Sequence, residues 1–140
     1  MNYQKMAEKL VGKWKCIENE NMDEFLKKLG VGFMIRKVGA SLKPTVTITF
    51  EKGEWIIKSE TSVKNTVNTF KIDEEKDEEL PDGKKVRSTT TLEGNKMIHT
   101  QRNNGTIVCI ITREIDGTDQ QIVILNADGV QARRVFKRID

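Results

Sequence analysis

Residues 105–138 read GTIVCIITREIDGTDQQIVILNADGVQARRVFKR, and the turn residues in and around this stretch decide the fold. Asn103-Asn104-Gly105, Asp116-Gly117 and Asp128-Gly129 are hairpin signals separated by runs rich in Ile and Val. Working outward toward the N-terminus adds Glu93-Gly94-Asn95 and Pro81-Asp82-Gly83. From Gly83 to Gly129 the successive glycines lie 11, 11, 12 and 12 residues apart. Spacing of that regularity predicts an antiparallel meander, and open edges are a liability in one this long, so it is expected to close into a barrel or a sandwich. Further upstream, Thr45-Val46-Thr47-Ile48-Thr49-Phe50 alternates strictly between threonines and apolar residues. Glu54 to Glu60 follows a turn at Lys52-Gly53.

Helical spacing is confined to one place. Met22, Phe25, Leu26 and Leu29 fall at i, i+3, i+4 and i+7. Asn21 is a good N-cap residue, Glu24 sits where it can close a capping-box-like pair, and Gly30 supplies the stop. A second piece, Phe33 to Val38, lies between Gly32 and Gly39. Together they read as a helix-turn-helix lid carrying Lys27, Lys28, Arg36 and Lys37.

Composition narrows the class. The chain of 140 residues is the size of one domain, 1–140, and long enough to bury a core without disulfides or metal. Its hydrophobic content is only 36%. The strands are instead rich in Thr and Ser, as at Ser88-Thr89-Thr90-Thr91, which favours a barrel with a wet cavity over a packed sandwich. No apolar run approaches the length of a membrane span, and the first nine residues have no apolar leader region, so a cytoplasmic protein is expected. Cys16 and Cys109 show no metal or redox spacing and are expected as reduced thiols. The net charge of +3 divides unevenly: Asp73 to Glu79 holds six acids and one lysine, a net of −5, leaving +8 elsewhere. That acidic run reads as a solvated loop or a badly formed edge strand.

Catalysis is poorly provided for. The one histidine, His99, falls on an expected strand without the partners that a base or a metal ligand needs, and reads as a hydrogen-bonding barrel residue. No glycine loop of phosphate-binding type occurs, and neither a cofactor nor a metal is expected. The informative side chains are arginines on strands. In Gln131 to Arg138, Arg134 and Phe136 share one face while Arg133, Val135 and Lys137 share the other. Arg113 ends a strand expected over Thr106 to Glu114, on the face of Ile107, Cys109 and Ile111. Either these arginines point to solvent, or Arg113 and Arg134 point into the barrel. Two buried cations without partners are costly, so the second arrangement demands an anion, and a guanidinium pair suits a carboxylate.

At these residues the sequence resembles the intracellular lipid-binding proteins of the fatty-acid-binding protein family, within the calycin superfamily. The resemblance runs from about Gly12 to Arg138. It is carried in order by Gly12, Trp14, Asn21, Asp23, Phe25 and Leu26; by Gly30-Val31-Gly32-Phe33, Arg36-Lys37 and Lys43-Pro44; and by Lys58-Ser59-Glu60-Thr61, Lys64-Asn65, Leu92-Glu93-Gly94-Asn95-Lys96 and Arg113-Glu114. Arg134-Val135-Phe136 resembles the family's closing Arg-x-Tyr motif.

The resemblance implies an all-β, ten-stranded antiparallel up-and-down barrel (a clam) capped by the helical lid. It implies a carrier, not an enzyme, that is monomeric and holds a long-chain fatty acid or similar hydrophobic carboxylate. The carboxylate would meet Arg113 and Arg134, with Phe136 beside them. The cavity and portal would involve Met22, Phe25, Leu26, Val31, Phe33, Val38, Pro44, Ser59, Thr61, Val63, Asp82 and Gln101. Lys27, Lys28, Arg36 and Lys37 would touch anionic membranes during ligand transfer. About 15 methylenes at about 0.8 kcal/mol each favour transfer out of water by about 12 kcal/mol before ordering costs.

The sequence also departs from the family. Phe136 lacks the hydroxyl of the usual tyrosine, which puts more of the head group on Arg113. Met22 replaces an aromatic, Val63 replaces a bulky portal Phe, and Lys76 stands where a buried aromatic is usual. One additional residue lies between Gly105 and Arg113 and another between Gly117 and Gly129, and each bears on strand parity. A retinoic-acid-type carrier of the same family is the alternative. A nucleic-acid-binding OB-type barrel is a remote one, because only Phe136 among eight aromatics sits in a basic run, and no nucleic-acid partner is expected.

Overall fold

The structure, a computed structural model, describes residues 3–80 and 83–140. A short helix α1 (Tyr3–Ala7) and one 3₁₀ turn (Glu8–Leu10) lead into strand β1 (Gly12–Glu20). The lid follows as α2 (Met22–Lys28) and α3 (Phe33–Gly39). Nine strands complete the chain: β2 (Thr45–Glu51), β3 (Glu54–Glu60), β4 (Asn65–Phe70), β5 (Lys76–Glu79), β6 (Lys85–Glu93), β7 (Lys96–Asn103), β8 (Thr106–Asp116), β9 (Gln120–Ala127) and β10 (Val130–Arg138). They form one antiparallel ten-stranded sheet in the order β4-β3-β2-β1-β10-β9-β8-β7-β6-β5. The barrel is nearly closed: β4 and β5, the two ends of that order, are neighbours in sequence but share no ladder.

The hairpins form where the turn residues demanded. Asn104 and Gly105 have φ of 51° and 83°, and Asp128 and Gly129 have 47° and 87°. Two consecutive positive φ values are what a two-residue hairpin turn of the right twist requires. Along β9 the burial alternates without a break, with Gln121, Val123, Leu125 and Ala127 inward. The core gathers Leu10, Trp14, Ile48, Trp55, Phe70 and Met97 with the lid residues Met22, Phe25, Leu29 and Val31.

Two bulges set the parity of the strands that matter. Between β7 and β8, Gln101 opposes Cys109 while Arg102 opposes Ile107, so Val108 is unpaired. This bulge absorbs the additional residue before Arg113, leaving Cys109, Ile111 and Arg113 on one face. The second additional residue is taken up in the three-residue turn between Asp116 and Gln120. Between β1 and β10, Cys16 opposes Phe136 and Glu18 opposes Val135, so Ile17 is the bulge. It turns Asn19 to the same face as Arg134.

Some expectations need correction. Asn21 precedes α2 but sits in the left-handed region with φ of 59° and makes no side-chain cap. Its amide instead donates to the Gln131 carbonyl at 2.9 Å, pinning the lid to β10. Gly30 does end the helix: its N–H reaches the Lys27 carbonyl and that of Val31 reaches Leu26, a paired closure of the last turn. Helix α1 is too short to show periodicity and is held by docking. Ala7 and Leu10 are buried, and the Leu10 carbonyl accepts from the Trp14 indole at 2.9 Å. The acidic run is part turn and part edge strand, β5, tied to β6 by Arg87 against Glu75 and Asp77.

Candidate functional site

Beneath the lid lies a cavity of about 960 Å³, walled by α2, α3 and inward residues of β3, β4, β5, β7, β8, β9 and β10. Met22, Phe25, Leu26, Val31, Val38, Ser59, Thr61, Val63, Gln101 and Arg134 all line it. Met34, Ile35, Leu125 and Ile111 join them and were not singled out in the sequence. The two strands after Gly105 therefore carry cavity wall on the faces that the bulge at Val108 keeps in phase.

At one pole stand the inward arginines. Arg134 donates through Nε to Asn19 Oδ1 at 2.9 Å and through Nη2 to the Leu42 carbonyl at 3.5 Å. Arg113 lies behind the wall, its Nη1 donating to Gln121 Oε1 at 3.1 Å. Burial, and then the neighbouring positive charge of Arg134, push the Arg113 guanidinium down to about 10. Burial likewise lowers the pKa of Arg134, partly opposed by Cys16. Neither guanidinium has a carboxylate from the protein at hydrogen-bonding distance among the described contacts. The pole is an anion site in the electrostatic sense: two desolvated cations, mutually repelling, beside an apolar chamber.

Gln121 was not anticipated. It is fully buried, and its Nε2 has no partner among the described residues. The alternation of β9 would have placed it inward, opposite Phe136. Cys16 is also at this pole, its thiol contacting Asn19 Oδ1 at 3.3 Å and its pKa raised by burial against the lowering effect of Arg134.

Other expected residues fall elsewhere. Phe136 is buried in the core opposite Cys16 and Gln121, without lining the cavity. Pro44 is buried at the start of β2, where its carbonyl accepts from the Cys16 N–H. Phe33 is 63% exposed on the outer side of α3, with Arg36 5.6 Å from its ring centre. Asp82 lies outside the described residues. Thr61 holds its turn as well as lining the cavity: its hydroxyl donates to the Lys64 carbonyl and accepts from the Val63 and Lys64 N–H groups.

The lid cations divide. Arg36 is committed within the lid, donating to Asp23 at 3.0 Å and to the Val31 carbonyl at 3.1 Å. Lys28 reaches Asp128 at 3.5 Å, tying α2 to the β9–β10 turn. Lys27 and Lys37 are exposed, and on α3 so are the apolar residues Met34, Ile35 and Val38.

Residues 11–138 match the family described as lipocalin / cytosolic fatty-acid binding protein family. A fatty acid-binding protein homolog 6 of Caenorhabditis elegans is 39% identical over 135 residues, covering 95% of this chain and 99% of its own. Among solved structures, a fatty acid transporter, REP1-NXSQ, superposes with a TM-score of 0.88 at 35% identity, covering 96% of this chain and 98% of its own. A Schistosoma mansoni fatty acid binding protein in complex with arachidonic acid superposes with a TM-score of 0.87 at 34% identity, over 96% of this chain and 99% of its own.

Proposed function

Because the chain belongs to the lipocalin / cytosolic fatty-acid binding protein family, we propose that it binds and carries long-chain fatty acids, with the carboxylate at Arg134 and Arg113 and the acyl chain in the cavity. The observation that carries this reading is the pair of desolvated guanidinia beside a chamber of about 960 Å³ walled mostly by apolar side chains. The tail supplies affinity by leaving water, and the arginines select an acid over an alcohol. Asn19 and Gln121 orient the two guanidinia. The protein acts as a monomeric cytoplasmic carrier, not an enzyme.

The lid completes the reading. Exposed Met34, Ile35 and Val38 with Lys27 and Lys37 form an apolar and cationic surface suited to brief contact with an anionic bilayer. Transfer of a fluorescent fatty acid to vesicles is expected to quicken with anionic lipid content. A rate indifferent to that content would remove the membrane role.

Displacement of an environment-sensitive lipid probe by oleate tests the main reading. Delipidated wild-type protein is expected to release the probe, and Arg134→Ala and Arg113→Ala each to weaken oleate about tenfold. If oleate displaces nothing from the wild type, the carrier role fails; if both variants match it, only the anion site fails. Preferential displacement by retinoic acid would favour a retinoid carrier of the same family.

A further inference from the structure

The cavity has a second polar pole. Glu78, Lys76 and Gln101 line it on the side of β5 and β7. In the sheet order β10 and β5 stand five places apart among ten, so this corner lies across the barrel from Arg134. Along β8, Cys109 faces Gln101, and Arg113 lies four residues further on, a separation of about 13 Å at strand rise. The corner therefore meets the middle or distal part of a bound acyl chain and not its head.

An alkyl chain needs only apolar wall there, and an inward carboxylate is costly without partners. Glu78 is kept inward by His99, whose Nε2 lies 2.8 Å from its Oε1, and by the Gln101 amide, which donates to the same oxygen. His99 is oriented in turn by Thr90 through Nδ1 at 2.9 Å. Lys76 brings an ammonium to the same wall, donating to Asn68 Oδ1 at 3.0 Å and to the Thr69 carbonyl. Both contacts on Glu78 converge on Oε1, which leaves Oε2 as the oxygen that a ligand donor meets.

We propose that this corner is a second ligand subsite, selecting long-chain acids that carry a hydroxyl away from the carboxylate. The proposal rests on the fatty-acid reading above. A hydroxyl both donates and accepts, so it can donate to Glu78 Oε2 while accepting a hydrogen bond from Lys76 Nζ or Gln101 Nε2. A ketone or epoxide only accepts and leaves Glu78 unanswered, and a second carboxylate is repelled by it.

Oleate and ricinoleate, which differ by one mid-chain hydroxyl, test the proposal by competition against the same probe. Wild-type protein is expected to bind ricinoleate at least as tightly as oleate. Gln101→Leu is expected to shift the ricinoleate-to-oleate preference about tenfold toward oleate, and Glu78→Gln, which keeps size and folding, about threefold in the same direction. A wild type that disfavours ricinoleate by about tenfold or more, as entry into an apolar wall requires, overturns the subsite while leaving the carrier role intact. So does a preference unchanged in both variants. Failure of both acids to displace the probe overturns the carrier reading as well.

Discussion

In the proposed carboxylate site, Arg113 works against the fold that holds it. It is desolvated, near a second cation, and among the described residues is answered only by the neutral amide of Gln121. Replacing a buried charge of this kind by an apolar residue of similar length is commonly neutral or stabilising. Arg113→Met is therefore expected to raise the unfolding free energy of the ligand-free protein by about 1–3 kcal/mol while lowering oleate affinity about tenfold or more. Urea denaturation and probe displacement on the same preparation check both halves. A variant that loses stability would recast Arg113 as a strut for Gln121. Phe136 belongs to the same balance: its ring, without a hydroxyl, packs in the core, so the proposed polar contacts to a carboxylate rest on Arg113 and Arg134.

At the scale of elements, legibility followed the range of the forces involved. Strands β6 to β10 were readable because their turns are encoded locally, in residues such as Asn104-Gly105 and Asp128-Gly129. The bulges at Ile17 and Val108 were not, since an additional residue is visible in sequence but its place of absorption depends on the partner strand. Strand β5 was obscure because Lys76-Asp77-Glu78-Glu79 has no strand pattern of its own; it is held by Arg87 on one face and by His99 and Gln101 on the other. Alternation put Arg134 on the face of Phe136 but left that face open between solvent and interior, and only the family resemblance turned it inward; Asn19 and Gln121 needed the register. The pinning of β5 has a pH signature. Burial raises the pKa of Glu78, but hydrogen bonds from His99 and Gln101 and the charges of His99 and Lys76 outweigh it and leave the carboxyl below its ordinary 4.5. A depressed acid stabilises the fold above its unfolded-state value, and that contribution fades as pH falls through the lower native value. Wild type is thus expected to exceed Glu78→Gln by about 1 kcal/mol at neutral pH, and the two should converge below about pH 4.5. Paired denaturation curves across that range read it directly; a constant difference would assign the effect to packing.

Taken whole, the molecule is built around space. A wall folded inward beneath the lid encloses about 960 Å³. Ser59, Thr61, Thr66, Asn68 and Gln101 sit in that wall, and they account for part of the polar share of a chain with only 36% hydrophobic residues. The enclosed space also means that part of the stability belongs to the complex and not to the chain. A ligand at about 100 times its dissociation constant adds about 2.7 kcal/mol to unfolding, which for a chain of this length is a rise in Tm of about 9 °C. Delipidated protein reloaded with oleate is expected to show that rise in calorimetry. Methyl oleate keeps the tail and removes the anion, so at equal concentration it should shift Tm by markedly less, because Arg113 and Arg134 then remain mutually repelling and unneutralised. An equal shift from acid and ester would mean that the chamber binds the tail alone and that the arginine pole contributes nothing to holding it.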